Sequence, residues 1–179
     1  MKRESNEMKQ ENDRAASFKR FCEVVRHLRA EDGCPWDRAQ THTSLKPYCI
    51  EEAAEVIGGI NIWEATGDAE NLKEELGDLM LQILLHAQIA EEEGLFTIRE
   101  VMDGASEKMI RRHPHVFGEE SYELLGGHAD SWKEIKQIEK AGMSEDQKKA
   151  QERAVYLATQ QIIEHLQKSL DKYGDNDYK

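Results

Sequence analysis

From Ser44 to Glu93 the apolar residues recur with the period of an α-helix, and the one proline of that stretch, Pro47, falls within a first helical turn. Alternating β-branched runs are almost absent, and the whole chain holds only three prolines. A period near 3.6 cannot be laid down as a half-buried strand, whose faces alternate at every second residue. The chain therefore reads as all-α. The spacing predicts helices over about Ala15–Ala30, Ser44–Trp63, Ala69–Glu93, Thr97 to just before Pro114, Ser131–Lys140 and Glu145–Tyr173. Asp68 is placed to cap the third helix and Gly94 to stop it, and Thr97 with Glu100 makes a T-x-x-E capping box. Gly33–Thr41 and Gly118–His128 read as loops. The expected organisation is a flexible tail or early helical extension over 1–14, one helical domain over 15–140 and a C-terminal helical extension over 141–179.

On the third helix the residues from Leu76 to Ala90 are apolar nearly all round, which is how a buried helix reads. Leu72, Leu76, Leu79, Ile83, Ala87 and Ala90 form its main stripe, with Glu75, Asp78, Gln82 and His86 beside it. Leu81 and Leu85 are left over on another side, and this surplus predicts a helix-on-helix homodimer, or a higher even oligomer, with two-fold symmetry.

Two carboxylate pairs stand on these helices at i, i+3: Glu52 with Glu55, and Glu75 with Asp78. Residues three apart share a helix face, with Cβ atoms about 5–6 Å apart. Two such helices side by side would converge four acids on one spot close to the core. Unpaired buried carboxylates cost several kcal/mol each. Hard divalent cations take oxygen ligands of this kind, Mg²⁺ first and Mn²⁺ as the alternative. The competing reading is an ordinary solvated acidic face. A di-iron carboxylate bundle would need Glu-x-x-His on two helices, and that motif occurs nowhere in the chain. Trp36 is either a loop residue plugging the core or a platform for a base. The cluster Lys108, Arg111, Arg112, His113 and His115 is either a complement to a helix C-terminus or the cationic side of a phosphate site.

The formal net charge of −12 argues against a general grip on nucleic acid, which needs basic surface. No apolar run approaches the ~18 residues of a membrane span, and Met1–Arg14 is charged throughout, unlike a signal peptide. The three cysteines, Cys22, Cys34 and Cys49, have no pairing pattern and suit free thiols in the cytoplasm.

Glu51-Glu52-Ala-Ala-Glu55, followed by Glu75-Leu-Gly-Asp78, resembles the EExxE…ExxD signature of the MazG-like nucleoside triphosphate pyrophosphohydrolases. Gly33-Cys-Pro-Trp-Asp37 with Gln40-Thr41, and Arg111-Arg-His-Pro-His-Val-Phe117, are similar to that family's flanking landmarks, in the same order. The resemblance spans about Phe18 to Lys140 and is to the first, N-terminal copy of the domain. It implies a helical bundle whose four-helix core is completed by dimerisation, here with an extra C-terminal helix. It implies Mg²⁺-dependent hydrolysis of nucleoside triphosphates to NMP and pyrophosphate, a housekeeping activity. It further implies Glu52, Glu55, Glu75 and Asp78 as metal ligands and Glu51 as the residue that orients or deprotonates water. Trp36, Lys73, Lys108, Arg111 and Arg112 would then serve the nucleotide. The second copy is the one usually credited with catalysis, so the alternative is a weak or inactive nucleotide-binding and dimerisation module.

Overall fold

The computed structural model describes residues 2–126, 129 and 131–174. Every regular element among them is helical: α1 (Lys2–Arg29), α2 (Pro35–Ala39), α3 (Lys46–Thr66), α4 (Glu70–Glu92), α5 (Ile98–Arg111), α6 (Pro114–Phe117), α7 (Glu119–Leu125), α8 (Trp132–Lys140) and α9 (Glu145–Gly174). The all-α expectation holds. The chain divides into two compact units, Met1–Ile98 and Arg99–Lys179.

In the first unit α3 and α4 lie against each other, and α1 packs on α4. Their crossing is close because position 59 has no side chain. A Cβ on Gly59 would stand 2.8 Å from Leu72 Cα, so only glycine lets the two backbones meet there. Pro47 opens α3, where its missing N–H removes nothing. Gly67, at φ 77°, closes α3 in the left-handed conformation and returns its N–H to Trp63 O. Asp68 Oδ1 accepts from Glu70 N at 3.0 Å, but the N-cap of α4 is Ala69, one position later than expected, and no side chain caps the helix there. The core of the unit gathers Val25, Leu45, Leu84, Leu85 and Ile89, with Phe18, Phe21 and Leu81 packed on it.

Arg29 ties three segments together. Its guanidinium bonds Glu92 at 2.7 and 3.0 Å, and it donates to Asp37 O at 2.5 Å and Gln40 O at 3.2 Å. The end of α1, the end of α4 and the α2 turn thus share one cation. α2 itself falls inside the expected Gly33–Thr41 loop, started by Pro35 at its N-terminus. Residues 2–14 are helical and continuous with α1.

Two expectations need correction. Leu85 is not surplus: it is 2% exposed, within the chain's own core, and Leu81 packs against that core. Leu76, Met80 and Ile83 are exposed instead, as are Ile57 and Ile60 on α3. The wheel showed α4 apolar nearly all round but not which side α1 would cover. The second correction is Gly118–His128, expected as a loop. Glu119–Leu125 forms α7, with Ser121 and Leu125 buried and Gly126 closing the helix at φ 71°. Tertiary burial outweighs its polar, glycine-flanked composition. Residues 127 and 128 of that stretch lie outside the described residues.

In the second unit α7 packs on α8, and Leu125, Ala129 and Ile135 form a small core. Ser131 and Glu134 cap α8 reciprocally. Ser144 and Gln147 do the same for α9, at 2.8 and 3.2 Å. Along α9, Val155, Tyr156, Ile163 and Leu170 are exposed.

Candidate metal centre and basic cluster

The register that brings Gly59 onto Leu72 also brings one turn of α3 beside one turn of α4. Ligand oxygens of Glu52, Glu75 and Asp78 lie within 4.8 Å of one another. Glu52 and Glu75 are half-buried and Asp78 is exposed, so the group opens to solvent rather than lying in the core. Glu55 adjoins them within hydrogen-bonding reach of Glu52 and Glu75, on the more exposed side. Glu51 is half-buried on the same turn of α3.

Burial raises the Glu52 carboxyl above its ordinary value, helped by the negative charges of Glu55, Asp78 and Glu75. Burial also raises Glu55, together with the charge of Glu75. Protons are held where like charges crowd. Asn71 Nδ2 donates to Glu75 Oε1 at 2.8 Å and fixes that carboxylate. Gln82 Nε2 reaches Glu52 Oε1 at 3.5 Å, while Gln82 Oε1 is buried without a partner. Clustered carboxylate oxygens with the amide of Gln82 beside them fit a hard cation such as Mg²⁺.

The same α3–α4 seam continues into a histidine pair. His42 Nδ1 and His86 Nδ1 are 2.7 Å apart with rings nearly parallel, and His86 Nε2 lies 3.4 Å from Cys49 Sγ. The sequence places His86 on the polar stripe of α4, but names no partner for it. Burial, and then the neighbouring His42, lower the His86 pKa from the ordinary 6.5. The folded state therefore binds fewer protons there than the unfolded chain. Stability from His86 is complete above pH 6.5 and is lost as pH falls through its folded value. The expected result is a falling melting temperature below pH 6.5 that His86→Gln largely flattens, read by thermal unfolding across a pH series.

Trp36 projects from α2, 53% exposed, edge-on to Tyr48 at 6.0 Å. It does not plug the core. Lys73 is exposed and paired with Glu70. In the second unit Lys108 is exposed on α5. Arg111 and Arg112 both bond Glu139, at 3.1 and 2.8 Å, across to α8. Arg112 also lies over Trp132, 5.0 Å from the ring centre, and Lys136 is 5.3 Å from the same ring. Trp132 and Lys136 escaped sequence reading. Their i, i+4 spacing on α8 was the available signal, but only the fold joins them to Arg112.

Two adjacent helices thus converge three carboxylates, with a fourth beside them, on one open spot that could hold a metal ion. Residues 40–117 match the MazG nucleotide pyrophosphohydrolase domain. The chain is 49% identical over 123 residues to the nucleoside triphosphate pyrophosphohydrolase/pyrophosphatase MazG of Thermotoga maritima, covering 69% of this chain and 45% of that protein. It is 49% identical over 123 residues to the uncharacterized protein YabN of Bacillus subtilis, covering 69% and 24%. It is 41% identical over 123 residues to the nucleoside triphosphate pyrophosphohydrolase of Escherichia coli, covering 68% and 45%. Residues 40–117 thus belong to the MazG nucleotide pyrophosphohydrolase domain family. It spans from about a quarter to about half the length of these relatives.

Proposed function

We propose that this chain hydrolyses nucleoside triphosphates to NMP and pyrophosphate with Mg²⁺, Mn²⁺ serving as a substitute. The observation that carries the reading is the convergence of Glu52, Glu75 and Asp78 inside the matched domain. These three residues, with Glu55 beside them, would hold the cation. When bound it would neutralise phosphate oxygens and acidify water at the α-phosphorus. Glu51 is the general base we assign, taking the proton as water bonds to the α-phosphorus. The α–β bridging P–O bond then breaks, and its electron pair leaves with pyrophosphate. Lys73, Lys108, Arg111 and Arg112 are the cations we assign to the triphosphate. Trp36 offers an exposed ring on which a base can stack.

A homodimer or higher even oligomer is part of this proposal, supported by the apolar side chains left exposed on α3 and α4. Ile83→Glu or Met80→Glu is expected to give folded, dissociated protein by light scattering. A wild-type mass near 20.6 kDa at micromolar concentration would rule the assembly out. No helix among the described residues is long and apolar enough to cross a membrane. The free cysteines suit the reducing cytoplasm we assign. The test of function is a panel of ordinary and modified nucleoside triphosphates incubated with and without Mg²⁺. Turnover that requires the cation is expected. Binding without turnover across the panel would leave only a nucleotide-binding module.

A further inference from the structure

Gln82 stands on α4 one turn after Asp78, and only 5% of it is exposed. Its amide nitrogen points to Glu52 Oε1 at 3.5 Å, at the long limit of a hydrogen bond. Its oxygen is enclosed and bonds to nothing, the only such buried side-chain atom among the described residues. Buried polar atoms are almost always paired, and leaving one unpaired destabilises the fold. An apolar side chain of the same shape would serve the empty fold better. A glutamine here is explained by a partner that the site itself acquires.

We propose that Gln82 is a neutral oxygen donor to the cation held by Glu52, Glu75 and Asp78, its amide turning on loading to present Oε1 where Nε2 now stands. The inference rests on the metal reading above. The last torsion of a glutamine is broad, so the turn meets little resistance. In the empty site the negative Glu52 attracts the amide nitrogen, and the oxygen is forced into the protein. Two oxygens facing each other at such a distance repel unless a cation lies between them. Loading reverses the preference, because the cation attracts both oxygens at once. A carbonyl adds a ligand without adding negative charge to a group that already strains to hold its own. Glu55, on the exposed side, is thereby left freer.

The test is Mn²⁺ binding, followed by the paramagnetic signal of the free ion, in wild type, Gln82→Met and Gln82→Leu. Circular dichroism establishes that both variants keep their helix content, and the Gln82 side-chain amide is followed by NMR during Mg²⁺ titration of wild type. Both variants should bind Mn²⁺ more than about tenfold more weakly, since losing a ligand costs no less than losing a group that supports one. Their metal-free melting temperatures should be unchanged or higher, and the Gln82 amide resonances should shift with Mg²⁺. Variants that bind Mn²⁺ like wild type, or that lose only metal-free stability, would reduce Gln82 to a packing residue and overturn the proposal. Wild type that binds no Mn²⁺ would overturn the metal reading itself, a result distinct from the former.

Discussion

Glu75→Gln and Asp78→Asn are expected to lower pyrophosphohydrolase turnover by on the order of 10²–10³-fold, the scale seen when one group stabilising developing charge is removed. Each change removes one anionic oxygen from the cluster and leaves its size intact. The same substitutions should not harm the metal-free fold. Glu52 and Glu55 are raised by burial and by their acidic neighbours, so their protonated forms are favoured on folding. A carboxyl raised on folding contributes stability that is complete below its ordinary 4.5 and is lost as pH rises through the folded value. At neutral pH the empty cluster therefore opposes folding, and removing one charge relieves it. Turnover at fixed Mg²⁺, paired with melting temperature in chelator, separates the two effects. A variant that loses activity together with its metal-free stability would point to misfolding instead.

Arg29→Met is expected to destabilise the fold by roughly 2–4 kcal/mol, read as a lower denaturation midpoint. The Arg29 side chain is 6% exposed, whereas that of Glu92 is 38% exposed, so solvent screens part of the ion pair. The larger share comes from Asp37 O and Gln40 O, which lose their donor where α1 meets the α2 turn. Bonding to Arg29 also holds Glu92 below its ordinary 4.5. That part of the stability is present above pH 4.5 and lost as pH falls through the folded value, so wild type and variant should draw closer in acid. Since α2 carries Trp36, the variant should also weaken nucleotide affinity if Trp36 meets the base.

What the sequence exposes of this protein is what lies within one helix. The i, i+3 pairs on α3 and α4 are legible because helical geometry alone sets each pair on one face. So are Pro47 at the start of α3 and Asp68 beside the start of α4. What depends on which helix covers which face is not legible. The wheel sets Ile83 on the main stripe and Leu85 on a surplus side, yet Leu85 is the one buried with Val25 of α1 and Ile83 is left exposed. The orphaned oxygen of Gln82 and the His42–His86 pair arise between segments distant in the chain, and no local pattern announces either. α7 is missed for a related reason: Ser121 and Leu125 become helical as they are buried. Arg111 and Arg112 were legible as cations, but not as partners of Glu139, which lies on α8.

The most direct test of the account follows the products of one triphosphate hydrolysed with Mg²⁺ in ¹⁸O-labelled water, by ³¹P NMR. The account predicts NMP carrying the label and unlabelled pyrophosphate, with no signal growing when chelator replaces the metal. NDP and orthophosphate as the products, or cleavage that proceeds unchanged in chelator, would contradict it.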